Sequence, residues 1–167
     1  MKSLSEIETI SKRSSRAAGY SWGVAEEIGK NIRLLEIFSL PGIKNLNNFF
    51  KIKKKLKLEN ISLIGQDNEV SDAEYCPIMI GVNFLDQIRT LEVLGEINFK
   101  NIAFPLLFLP FASRASEVIG KKILLKLDAN EFILNFNISI FSNYSENKAI
   151  ESSKNIYIKI FMKQLTI

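Results

Sequence analysis

The chain has 167 residues, 47 % of them hydrophobic and 24 % charged, with a formal charge of +4, one cysteine and no histidine. The missing histidine excludes Ser-His-Asp and Cys-His catalysis, histidine general bases and histidine-ligated metals. A single cysteine excludes an internal disulfide framework, and structural zinc or iron–sulfur ligation within one chain. What remains is carboxylate, lysine, tyrosine or cysteine chemistry, or none, and neither a metal nor a cofactor is expected.

The length suits one domain over 1–167, with residues 1–50 helical and residues 55–167 mainly β with one or two helices. The basicity is weak support for a nucleic-acid partner. The chain holds 24 isoleucines, 17 lysines and 15 asparagines, all with AT-rich codons, against only five arginines. The longest apolar run, Ile102 to Ala112, is broken by two prolines, so no membrane span is expected. Glu6 and Glu8 in a start without an apolar stretch argue against a secretory signal. The lone cysteine suits a reducing compartment, and a cytoplasmic location is expected.

Ser3-Leu4-Ser5-Glu6 matches a capping box. It predicts a helix to about Ala18, stopped by Gly19, with an inner stripe of Leu4, Ile7, Ser11, Ser14 and Ala18. Small residues there permit close approach of another helix. Ser21 caps a second helix, Trp22 to Phe38, whose core arc is Val24, Ala25, Ile28, Ile32 and Leu35. A third helical piece, Ile43 to Phe50, leads into the lysine-rich run Lys51 to Lys57. A strand near Leu58 to Ile64, a polar loop from Gly65 to Glu74 and a helix from Val82 to Leu91 follow. Further on, the pattern gives a strand at Glu96 to Ala103 and a helix at Pro110 to Ile119 stopped by Gly120. A hairpin pairs Lys122–Leu127 with Glu131–Ile140, and the last strand is Ile156 to Phe161. The expected fold is α+β, an N-terminal helical hairpin packed against a mainly antiparallel sheet from the second half.

Chemically, the notable stretch is Gly19-Tyr20-Ser21-Trp22-Gly23-Val24-Ala25-Glu26-Glu27-Ile28-Gly29-Lys30. As a packing corner, Trp22 plugs the turn and Glu26 pairs with Lys30 at i+4. As a ligand or partner site, Trp22 and Glu26 act with Arg33, Arg16 or Arg13. Glu26 and Glu27 point about 100° apart on a helix, which weakens a paired-carboxylate mechanism. A DNA-reading second helix would bring both carboxylates to the phosphates, so nucleic acid is an unfavoured partner. Cys76 reads chiefly as a small buried hydrophobe, and as a nucleophile only if a cation or helix N-terminus activates it. Arg114 offers bidentate anion binding on an otherwise apolar helix. The Lys51–Lys57 run could bind phosphate or anionic lipid, but reads first as a solvated helix end.

Ser3-x-x-Glu6-Ile7-Glu8 and Arg16-x-x-Gly19-x-x-Trp22-Gly23-x-Ala25-Glu26-Glu27-x-Gly29 resemble the opening of a bacterial family catalogued as a domain of unknown function, number 3726. The likeness is specific over residues 3–35. It extends more weakly to Cys76-Pro77 with Gly81 and to Pro105–Phe111. It implies a small, stand-alone bacterial protein and carries over no catalytic roles.

These readings favour a non-catalytic binding or accessory protein. A homodimer is expected from the apolar run Ala103–Ala112 and the apolar hairpin faces. The alternative is an enzyme using Glu26 or Glu27 as acid or base on a small anionic substrate held by arginine.

Overall fold

The computed structural model describes residues 2–162. Helix α1 (Leu4–Ala17) begins at the capping box read from the sequence. The Glu6 amide donates to Ser3 Oγ at 3.2 Å, and the Ser3 amide to the Glu6 carboxylate at 3.1 Å. Gly19 takes φ +102°, a conformation open to glycine at no steric cost, and the Tyr20 amide folds back to the Ser15 carbonyl. Ser21 then caps α2 (Trp22–Ile37) through the Val24 amide at 3.3 Å. Helix α3 (Gly42–Ile52) follows and ends in a 3₁₀ turn, Lys53–Lys55.

The expected strand at Leu58 to Ile64 shrinks to the two residues of β1 (Leu58–Glu59), and the polar loop contains β2 (Asp67–Asn68) and β3 (Glu74–Tyr75). Helix α4 (Pro77–Asp86) starts five residues before the predicted Val82, because Pro77 can occupy the first helical turn, where its missing N–H is not needed. A short α5 (Ile88–Leu91) precedes β4 (Glu96–Ala103) and α6 (Leu109–Ile119), which stops at Gly120 in the left-handed region. Among the described residues beyond 55, α4, α5 and α6 make three α-helices where one or two were expected.

Strands β5 (Ile123–Leu127) and β6 (Asn130–Asn135) form the expected hairpin. The predicted Glu131–Ile140 strand is divided: a turn at residues 136–138 separates β6 from β7 (Ser139–Ser142). The last strand, β8 (Ser152–Ile160), starts four residues earlier than predicted. The described residues form one sheet in the order β1-β3-β4-β8-β5-β6-β7, with β2 also on β4. It is antiparallel from β4 through β7 and parallel where β1, β2 and β3 join. The fold is α+β as expected, with a small parallel flank from before residue 76.

Helix α6 packs on β5 and β6 of this sheet, and α2 and α4 pack in turn on α6. Phe104 through Leu109 are all buried, so the apolar run Ala103–Ala112 forms the interior of this chain and offers no subunit surface. Phe108 meets Phe84 at 5.3 Å and Phe99 at 6.2 Å, and Phe49 of α3 meets Phe104 at 5.4 Å. Buried Asn45 ties α3 to the loop before β8, donating to the Pro41 carbonyl at 2.7 Å and accepting from the Ile150 amide at 3.1 Å.

On α1 the stripe runs through Ile7, Ser11 and Ser15, while Leu4 and Ser14 are exposed. The close approach of α1 and α2 falls at Glu8 and Lys12, where the small residue is on α2. A Cβ on Gly29 of α2 would lie 2.7 Å from the Glu8 carbonyl oxygen, so only glycine allows this crossing.

Candidate functional site

The α1–α2 hairpin brings part of the predicted site together, though differently from either reading of the sequence. Trp22 does not plug the corner. It is 58 % exposed, and the buried aromatic at the turn is Tyr20. The indole lies beside two cations of α1, with the Arg16 guanidinium 4.7 Å and the Lys12 ammonium 5.6 Å from its ring centroid. Arg16 is fixed by a 3.0 Å hydrogen bond to the Tyr20 carbonyl. The partner of Glu26 is Lys12 across the seam, at 3.2 Å, not Lys30. The i+4 register is available in any helix, but α1 packs so closely that its lysine reaches the carboxylate first.

Arg33 pairs with Glu8 at 3.1 Å along the same ridge. It is three helical turns from Trp22, about 16 Å at 1.5 Å per residue, so the two do not share a small ligand. Arg13 is exposed on α1. The ridge thus joins Trp22, Arg16, Lys12 and Glu26, with Arg33 and Glu8 as a separate pair.

Glu27 and Arg114 form a second cluster. Their ion pair joins α2 to α6, and the Arg114 guanidinium also donates to Asn31 Oδ1 at 3.2 Å. Both side chains are about two-thirds covered. Glu27 Oε2, the oxygen that faces Arg114, is buried, and Asn31 Nδ2 is buried with no hydrogen-bond partner. Arg114 therefore does not join the Trp22 ridge, and the two glutamates serve different places, as their 100° separation requires.

Cys76 is buried at the N-cap of α4. Its sulfur lies 3.8 Å from the Tyr20 hydroxyl. Burial, and then the neighbouring thiol, hold the Tyr20 phenol far above its ordinary value. Lys53 of the lysine run sits over the other side of that story: its ammonium is 4.0 Å from the Tyr20 ring centroid and 3.4 Å from the Ala18 carbonyl. The remaining lysines of the run, at 51, 54, 55 and 57, are exposed. Among the described residues none of the five has a carboxylate within ion-pair distance.

Lys12 and Asn31 were not singled out by the sequence, and Tyr20 and Lys53 stood out only as members of the Gly19–Lys30 stretch and the lysine run. Lys12 was findable, since it stands one turn from Arg16 on the face that meets α2. Tyr20 and Lys53 are 33 positions apart and meet only through the path of α3. Among the described residues no three carboxylate or thiol groups come together to hold a metal ion, and no helix is long and apolar enough to cross a membrane.

No curated protein and no solved structure matches the chain. A family model described as "Protein of unknown function (DUF3726)" matches residues 2–75. The weaker likeness at Cys76-Pro77 and at Pro105–Phe111 lies outside the matched residues. The resemblance carried by the opening helices holds, and the chain is similar to the DUF3726 family over residues 2–75, the portion that bears both the Trp22 ridge and the lysine run.

Proposed function

We propose that the protein is a non-catalytic binding or accessory protein that engages a protein partner through the Trp22 ridge. The observation that carries this reading is the state of Trp22: the chain's only tryptophan is more than half exposed and flanked by Arg16 and Lys12. Tryptophan and arginine are enriched among the few residues that carry most of the binding energy at protein interfaces. Glu26 and Glu27 are each engaged by a cation of the same chain, which supports a structural rather than a proton-transfer role.

The test is affinity co-purification of tagged wild type beside Trp22→Ala and Arg16→Glu. A stoichiometric protein retained by wild type and lost from both variants, with unchanged melting temperatures, is the expected result. A partner retained by both variants removes the ridge from the reading.

A homodimer belongs to the same proposal. Ile133 and Phe141 face each other across β6 and β7 on the open side of the sheet, with exposed Phe136 in the adjoining turn. Light scattering at micromolar concentration should show a dimer, and a monomer there would count against self-association.

The enzyme reading has one observation in its favour, the half-buried Glu27 carboxylate beside Arg114. A small carboxylate or phosphate that raises the melting temperature of wild type but not of Glu27→Gln would favour it.

A further inference from the structure

We propose that the trough between α1 and α3 is a binding site for an amphipathic carboxylate with a single alkyl tail. The site is distinct from the Trp22 ridge. One cavity, of about 290 Å³, is lined by Ala18, Phe50, Leu56 and Leu58, with Lys53 and Lys54 at its edge. A second, of about 160 Å³, lies between Ile10, Ser14, Ile43 and Phe50. Phe50 lines both cavities, so they lie on either side of one ring and together make up the proposed furrow. Ile10, Ser14 and Ala18 stand four residues apart and mark one line along α1, about 12 Å long at the helical rise. Phe50 is backed by the buried Tyr20 ring at 6.1 Å.

The two ends of the furrow differ in charge. At the Ala18 end stand Lys53, held over Tyr20, and exposed Lys54, neither with a carboxylate partner. The Ile10 end offers isoleucine side chains that are 41–43 % exposed. A ligand that complements both must carry a negative head and an apolar tail. Only together do the two cavities reach the low end of ligand-site volumes, which suits one tail, not the two of a membrane phospholipid. A tail of about eight to ten carbons spans such a length at ordinary C–C geometry.

The probe is decanoate, kept below its micellar concentration and titrated into the full chain by calorimetry, with decanol as the neutral control. Wild type should bind decanoate, and decanol at least about tenfold more weakly, as expected when a charge-assisted contact is lost. Ser14→Leu fills the furrow from an exposed position, and Lys54→Gln removes one charge. Ser14→Leu should weaken decanoate by about tenfold and Lys54→Gln by about two- to fivefold, as for an exposed ion pair, while the ligand-free melting temperature stays unchanged. Lys53→Gln is compared only if it also melts normally, since Lys53 packs on Tyr20. Absence of decanoate binding to wild type overturns the proposal. So do equal affinity for decanol, unchanged affinity in Ser14→Leu, or binding only to anionic phospholipid vesicles.

Discussion

Helix α1 meets its two helical neighbours with opposite outcomes. Toward α2, Glu8 and Lys12 meet Gly29, and the backbones approach until a Cβ on Gly29 would overlap the Glu8 carbonyl. Toward α3, Ser14 and Ala18 meet Phe50, with Ile43 further along, and a furrow stays open. A small residue on one helix therefore permits closeness without enforcing it. The surface opposite must match it, as interiors fill space only where both surfaces fit.

The largest expected effect lies on the tight side. Gly29→Ala gains up to about 1 kcal/mol in helix propensity, but its Cβ would force α1 off α2. A net loss of roughly 2 kcal/mol is expected from such overpacking. Urea denaturation measures it directly. A variant as stable as wild type would show that α1 slides easily, and the contrast between the two faces would collapse.

Tyr20, behind the open side, should show next in alkaline solution. Its raised phenol pKa means that the folded state holds the proton more tightly than the unfolded chain. That contribution is fully present below the ordinary value of 10.0 and is lost as pH rises beyond it. The wild-type melting temperature should thus fall more steeply above that pH than that of Tyr20→Phe. Tyr75, Tyr144 and Tyr157 are also raised, but they remain in both proteins, so the difference isolates Tyr20. Parallel curves would mean that water reaches the phenol.

The Lys12–Glu26 pair offers a smaller effect on the tight side. Both side chains are more than a third exposed, so a double-mutant cycle with Lys12→Met and Glu26→Gln should give about 0.2–1 kcal/mol of coupling. Salt of about 1 M should remove most of it, because screening then acts within about 3 Å.

How much of this was legible follows from which contacts are local. Both helix starts, the Gly19 stop and the β4 strand rest on neighbours in sequence, and periodicity or capping chemistry exposes them. The burial of Ile28, Ile32 and Leu35 was readable for the same reason. The place of Trp22 was not, because bulk suggests burial while only the crossing of α1 decides that Tyr20 goes inside. Glu26 was assigned to Lys30 by helical spacing, whereas the real partner comes from another helix. The start of α4 was missed although Pro77 suits a first helical turn. Glu131–Ile140 was read as one strand because its alternation continues through a turn at residues 136–138.

The smallest expected effect is the most discriminating for the two faces. Ser14 and Ser15 are adjacent, yet Ser15 is fully buried, with its hydroxyl donating to the Ser11 carbonyl at 2.7 Å, while Ser14 is exposed at the furrow. A leucine at 15 has no room. At 14 it can lie against Ile43 and Phe50, so Ser14→Leu should change stability by no more than about 0.5 kcal/mol, read in the same urea titration. If it costs as much as Gly29→Ala, α1 and α3 close together in solution and the furrow is filled by the protein itself. If it costs nothing, the space beside Ser14 is free, and small residues on this face leave room rather than draw a helix in.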